Sequence, residues 1–333
     1  MRLHSSVLDA MALHPADRRG PYLDAGAFKS SNSLAKDRLL KAFGSSLPLP
    51  AQTEPQLLGA LCQVLQLPGS LMLAQLVYDT ACAYKLEDGQ AQDMAIAIEY
   101  FHSASLLFYD LPCMDNAEER RGALRVHQVY GEAAAILAAL ALANRAYALL
   151  WHALAGFPLE RQSAALKYLE KWLGIEGLLN GQSLDLHYAN VSQSKFSSQQ
   201  VALSKTVSLI RVSLLLPALA TGAPATELRM FERLAIFWGL SYQMLDELKD
   251  VYQKPNQTGE TVDREAGLHR PKVGLDIGAA QSLLRIERLM HLGNNVAERL
   301  VQRVPALSFL QELCRRFRDE VAAFEVDRPA AGL

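Results

Sequence analysis

Between residues 101 and 132 the chain reads FHSASLLFYDLPCMDNAEERRGALRVHQVYGE, with Asp110, Asp115, Glu118 and Glu119 placed just before Arg120 and Arg121. Acids followed closely by paired arginines suit a polyphosphate carrying Mg²⁺. Carboxylate oxygens supply part of an octahedral shell around a small hard ion, and guanidinium forks bind the remaining phosphate charge bidentately. A second cluster lies in GLSYQMLDELKDVY, residues 239–252, where Asp246, Glu247 and Asp250 stand at i, i+1 and i+4. On a helix Asp246 and Asp250 lie one above the other, with Glu247 about 100° round the axis. Like charges stacked this way cost roughly a few tenths of a kcal/mol each unless a cation or base neutralises them. Charge runs are most often solvated surface, and Lys249 is near enough to neutralise the second cluster. Against that, GLSYQML is too apolar for an exposed helix.

Such clusters need rigid elements to position them, and the chain supplies helices. Apolar residues recur at a period near 3.6 in PQLLGALCQVLQL, LMLAQLVYDTACAY and DMAIAIEYFHSASLLFYDL, separated by Gly or polar turns. Shorter or longer helices are expected over 34–43, 129–155, 159–180, 198–221, 225–252, 275–303 and 306–324, and alternating strand patterns are almost absent. The expected fold class is all-α: a single bundle of ten or so helices whose centre can hold a deep apolar pocket. No composition shift marks a second domain. The organisation expected is a loosely ordered arm over 1–33, a helical domain over 34–326 and a tail over 327–333.

Half of the 333 residues are apolar, enough for a substantial core, and a net charge of −2 leaves no polyanion-binding surface, so nucleic acid is not an expected partner. Cys62, Cys82, Cys113 and Cys314 lack C-x-x-C spacing and fit reduced thiols in a cytoplasmic protein. The N-terminal MRLHSSVLDAMALHPADRRG has no signal-peptide h-region. The longest apolar run, AAAILAALALA at 133–143, is too short to span a bilayer, so no transmembrane segment is expected.

The stretch around residues 101–132 resembles the first aspartate-rich region of the trans-isoprenyl diphosphate synthases, or polyprenyl synthetase family. There a helix reading H-x-A-S-L ends in Asp-Asp-x-x-Met-Asp and then Arg-Arg-Gly. His102, Ala104, Ser105, Leu106, Asp110, Pro112, Met114, Asp115, Arg120, Arg121, Gly122, His127, Gly131 and Glu132 fall in register with it. Tyr109 stands where the family has its first aspartate. The second motif, Gln-x-x-Asp-Asp-x-x-Asp, is matched by Gln243, Asp246, Glu247 and Asp250 with one Asp-to-Glu change. NGQSLDL at 180–186 resembles the family's Gly-Gln-x-x-Asp-Leu and puts Gln182 and Asp185 toward the cavity; SKTVSL at 204–209 resembles its Lys-Thr pair, making Lys205 a contact of the allylic diphosphate with Thr206 beside it.

Two segments depart from the family. Its Gly-Lys-Arg-x-Arg-Pro signature, which binds the diphosphate of isopentenyl diphosphate, reads Gly69, Ser70, Leu71, Met72, Leu73 here, without the basic side chains. Each lost charge-assisted hydrogen bond is worth about 1.5 to 3 kcal/mol, so losing two or three weakens that site by orders of magnitude. After the second motif, NQTGETVDREAGLHRPKVG aligns Asp263 but puts Glu260 and Leu268 near where lysines are expected, with Arg270 and Lys272 shifted.

The resemblance implies the isoprenoid synthase fold and Mg²⁺-dependent ionisation of an allylic prenyl diphosphate, followed by prenyl transfer to isopentenyl diphosphate or another acceptor. It gives Asp110, Asp115, Asp246, Glu247 and Asp250 as metal ligands. It gives His102, Arg120, Arg121, Lys205, Thr206, Gln182 and Gln243 as diphosphate contacts. Small Ala104 and Ser105 would leave the pocket floor open to a longer chain, and Phe108, Tyr109 and Tyr242 would line a carbocation pocket. Two other readings fit the departures: a terpene synthase that needs no isopentenyl diphosphate, and a catalytically weak paralogue serving as the partner subunit of an active synthase. Family members are commonly homodimers, and the third reading implies a heteromer.

Overall fold

The computed structural model describes residues 33–120, 123–190, 197–252, 272–274 and 276–327. The arm expected over 1–33, save Ser33, the tail beyond residue 327, and Arg121, Gly122, Glu260, Asp263, Leu268 and Arg270 lie outside the described residues.

Eleven α-helices carry the described chain, as the 3.6-residue period requires. They are α1 (Ser33–Ser45), α2 (Pro55–Gln66), α3 (Met72–Ala83), α4 (Asp88–Tyr109), α5 (Val126–Leu154), α6 (Leu159–Leu173), α7 (Leu178–Leu186), α8 (Ser198–Thr221), α9 (Ala225–Tyr252), α10 (Ala279–Arg303) and α11 (Phe309–Asp327). Local chemistry sets their ends. Pro55 opens α2, where the Glu54 carboxylate accepts the Leu57 N–H at 2.9 Å; Ser197 caps α8, and Gly222 ends it at φ 76°, a left-handed conformation that glycine adopts without strain.

Burial sorts the helices into a centre and a rim. From Val207 to Ala218 every residue of α8 is buried, and the same holds from Met94 to His102 on α4. A helix enclosed on all sides belongs in the middle of a bundle. Accordingly α4 packs along α3 and α5, while α8 touches α3, α6, α7 and α9. One cluster of buried apolar residues runs from Leu39 to Phe324. Tyr100 shows how the rim is tied on: its ring meets Phe43 edge-on at 5.0 Å, and its hydroxyl donates to the Phe43 carbonyl at 2.6 Å. Truncating so enclosed an aromatic to alanine costs about 3–5 kcal/mol.

Two expectations need correction. The helix expected over 159–180 is broken into α6 and α7, because the chain turns at Gly174, whose N–H caps the Glu170 carbonyl at 2.8 Å. The all-α reading is otherwise borne out, but the acidic stretch ends in a small antiparallel pair, β1 (Glu119–Arg120) and β2 (Ala123–Leu124), too short to leave an alternating pattern. The apolar run 133–143 lies inside α5, which continues past Arg145; that guanidinium donates to the Ser46 carbonyl at 2.6 Å. By length and composition α5 and α8 are both apolar enough to cross a membrane, yet 83% of that stretch of α8 is buried in protein, against 44% for α5. The remainder of α5 presents Ile136, Leu137, Leu140, Tyr147 and Trp151 at the surface.

Candidate active site

Four helices each give one face to a common cleft. His102, Ser105, Leu106 and Tyr109 come from α4, spaced i, i+3, i+4 and i+7 as one helical face requires; Leu178 and Gln182 come from α7, Lys205, Thr206 and Leu209 from α8, and Tyr242 and Gln243 from α9. The close approach of α7 to α8 depends on Gly181. A Cβ there would lie 2.5 Å from the Lys205 nitrogen and 2.7 Å from the Ser204 carbonyl carbon, both backbone atoms. The cleft is narrow, with a volume of ≈ 30 Å³, room for about two waters at ~10–15 Å³ each. A bulky ligand therefore enters only by parting the leucines that wall it.

The polar wall is built around Lys205. Its ammonium donates to Asp185 Oδ2 at 2.8 Å and to the Tyr109 hydroxyl at 3.0 Å, and lies 4.1 Å from the centre of the Tyr109 ring. The phenol in turn donates to the same Asp185 oxygen at 2.5 Å. Burial alone would push the Lys205 pKa down; the Asp185 charge and the Tyr109 phenol outweigh it and hold the pKa above the ordinary lysine value. Gln182 Nε2 reaches the Ser105 carbonyl at 3.4 Å.

A hydrogen-bonded string then leads to the second acidic cluster. Thr206 Oγ1 donates to Gln243 Oε1 at 2.6 Å, Gln243 Nε2 to Glu247 Oε1 at 3.0 Å, and the Gly274 N–H to Glu247 Oε2 at 2.6 Å. Burial pushes the Glu247 carboxyl up to about 7, against the pull of the Gly274 N–H and the Gln243 amide. Asp246 is half-buried beside it, and Asp250 follows one turn later on α9. Lys249 pairs with Glu320 on α11, and Lys272 is a charge that acts on Glu247.

The first cluster is arranged differently. Asp110 closes α4, is buried, and pairs through Oδ2 with Arg125 Nη1 at 3.2 Å. It is not on the cleft wall. Asp115 follows in a tight turn whose N–H donates to the Tyr109 carbonyl at 2.9 Å, and Glu118 and Glu119 are exposed. Arg120 lies in β1, opposite Ala123. Ala104 is buried in the core rather than in the cleft, and Phe108 packs against the same core.

At the start of α3, where Ser70, Leu71 and Leu73 replace the family's three basic residues, Leu71 and Leu73 are 1% exposed and Met72 2%. The buried Glu99 carboxylate accepts the Ala74 N–H there at 3.1 Å. Sequence reasoning did not find Arg125 or Glu99 as partners, since neither stands in a motif with the group it contacts.

Residues 54–268 match the polyprenyl synthetase family. The geranylgeranyl diphosphate synthase of Pseudescherichia vulneris is 34% identical over 193 residues, 58% of this chain and 62% of that protein. The geranylgeranyl diphosphate synthase of Pantoea ananas is 32% identical over 224 residues, 66% of this chain and 72% of that one. The first match thus spans less than two thirds of the relative's length. Among solved structures, the Helicobacter pylori geranyltransferase complexed with magnesium and isoprenyl diphosphate is similar at a TM-score of 0.71 and 24% identity, over 92% of this chain and 99% of that one. An apo FPP/GFPP synthase from Zymomonas mobilis reaches a TM-score of 0.70 at 22% identity, over 84% of this chain and 94% of that one. At those identities the likeness is one of fold, and the all-α architecture is the same.

Proposed function

The chain belongs to the polyprenyl synthetase family, and from that premise we propose that it is a prenyltransferase of isoprenoid biosynthesis, ionising an allylic prenyl diphosphate and passing the prenyl group to an acceptor. The observation that carries this reading is the cleft itself. Its lining combines polar side chains, among them Lys205, Thr206, Gln243, His102 and Gln182, with apolar ones, Leu106, Leu178, Leu209 and the Tyr242 ring. A diphosphate suits the first set and a hydrocarbon tail the second.

In this reading Lys205, Thr206 and Gln243 hold the diphosphate, and Arg120 and Arg121 add the guanidinium contacts that the resemblance implies. The leucine walls exclude water from the cation, and the rings of Tyr109 and Tyr242 face it. Magnesium fits the second cluster, where half-buried Asp246 adjoins Glu247, whose hydrogen-bond donors are the Gln243 amide and the Gly274 N–H; Asp250 is the third acid of that motif. It does not fit Asp110, whose charge is met by buried Arg125. When bound, the ion supplies electrostatic stabilisation of the departing diphosphate. Asp115, in the turn beyond, has no second carboxylate from Tyr109 with which to share an ion.

The acceptor is isopentenyl diphosphate or another nucleophile. Ser70 and buried Leu71 and Leu73, standing where the family has its basic residues, favour a second reading, a terpene synthase in which the cation is captured within the substrate. The apolar stripe of Ile136, Leu137, Leu140, Tyr147 and Trp151 on α5 supports a subunit interface, with a second copy or a related synthase. The four cysteines are free thiols, which supports a cytoplasmic setting. The continuous core from Leu39 to Phe324 supports one helical domain over 34–326.

The test is pyrophosphate release from geranyl, farnesyl and geranylgeranyl diphosphates with Mg²⁺, with and without isopentenyl diphosphate, and products identified by mass spectrometry. Longer prenyl diphosphates appearing only with isopentenyl diphosphate establish elongation. Hydrocarbons or alcohols without it establish the terpene synthase. No release from folded protein removes both and leaves the partner-subunit role.

A further inference from the structure

Tyr109 is where the first acidic stretch reaches the cleft, and what meets its phenol there is a cation. The Lys205 ammonium is surrounded by the Asp185 carboxylate at 2.8 Å, the Tyr109 hydroxyl at 3.0 Å and the Tyr109 ring at 4.1 Å. An anionic oxygen, a neutral oxygen and an aromatic face are the groups that hold a positive charge in a site of low dielectric. The nearest carboxylate on α4, Asp110, is spent on Arg125 and lies off the cleft wall.

We propose that Lys205 is a built-in cation that stands in for a divalent ion at the α4 end of the cleft, so that divalent ions bind at the Asp246–Glu247 end alone. The inference rests on the diphosphate reading above and departs from the expectation that both acidic clusters hold Mg²⁺. A diphosphate then spans from a fixed ammonium on α8 to a metal on α9. The ammonium has three N–H donors, so it can exchange the phenol for a phosphate oxygen while it keeps Asp185. Tyr109 is the specificity-determining residue of this arrangement. It brings an oxygen and a ring face to the ammonium, as an aspartate would bring a ligand to a metal, but its neutral phenol offers a divalent ion little.

Mn²⁺ replaces Mg²⁺ as the probe, added with inorganic pyrophosphate to the full chain, and bound ions are counted by electron paramagnetic resonance. The expected result is that the wild-type signal of bound Mn²⁺ is lost in Asp246→Asn, kept in Asp115→Asn, and unchanged in Tyr109→Phe. Tyr109→Asp is expected to gain Mn²⁺ that survives the added Asp246→Asn change. Circular dichroism establishes that each variant is folded, and the wild-type count needs no variant at all. Bound Mn²⁺ that survives Asp246→Asn and disappears in Asp115→Asn overturns the proposal, as does a Tyr109→Asp protein that folds and gains nothing. Pyrophosphate release from farnesyl diphosphate, measured on the same wild-type sample, separates the two ideas. Release together with Mn²⁺ on the first stretch overturns the built-in cation and leaves the prenyltransferase standing; the expected Mn²⁺ pattern without release supports the cation and removes that activity.

Discussion

At the end of α4 a buried aspartate faces a guanidinium, and toward the end of α9 a buried glutamate faces a peptide N–H and a glutamine amide. Asp110 and Glu247 are nearly equal in exposure, at 6% and 5%. Their partners differ in charge. The Asp110 carboxylate meets a buried guanidinium, whereas burial raises the Glu247 carboxyl to about 7 against the pull of neutral hydrogen-bond donors and of the Lys272 charge. The second arrangement is the one an added cation can relieve. Two acidic clusters of similar spelling therefore differ in surroundings, a buried guanidinium at Asp110 and amide donors at Glu247.

Breaking the internal pair should give the largest effect. Arg125→Met removes the buried cation that Asp110 pairs with, and unfolding by urea at neutral pH is expected to show a loss of about 3–5 kcal/mol. An equal loss in Glu247→Gln would erase the contrast. The poised glutamate should reveal itself through pH. Its folded pKa, about 7, lies above the starting value of 4.5, so its contribution is fully present below pH ~4.5 and lost as pH rises through about 7, a fall of up to roughly 3 kcal/mol. Mn²⁺ affinity should rise over the same interval, and Glu247→Gln should flatten both trends.

Gly181→Ala sharpens the comparison from outside both clusters. The added methyl meets the α8 backbone, so a loss of about 1–3 kcal/mol is expected, together with weaker pyrophosphate binding as Lys205 is displaced. Calorimetry with pyrophosphate checks the second part. Smallest is Tyr109→Phe, which removes one hydroxyl and leaves the Lys205–Asp185 pair. A stability change of about 1 kcal/mol is expected from thermal melts.

The helical architecture was legible because amphipathic and buried periods mark a helix wherever they fall, and α8 and α9 begin and end where the pattern does. The second cluster was legible for a related reason: its acids share one helix, so spacing alone places them. Gln182, Lys205, Thr206 and Gln243 line one cleft. The first cluster was not legible, because its chemistry depends on packing between distant positions. Arg125 reaches Asp110 only after a turn and a hairpin, and Asp185 meets Tyr109 across 76 residues of sequence. No local pattern encodes either contact. The break between α6 and α7 had its glycines in plain view, but the apolar period on both sides ran through them.

The clamp on Lys205 also bears on how tightly heat and order are coupled in binding. A lysine on the surface surrenders roughly 2 kcal/mol of rotamer entropy when it grips an anion. Here Asp185 and Tyr109 have already fixed the side chain during folding. Pyrophosphate binding at this end should therefore carry a smaller entropic penalty than a mobile lysine imposes, and loosening the clamp in Tyr109→Phe should make the measured binding entropy less favourable even where the affinity barely moves.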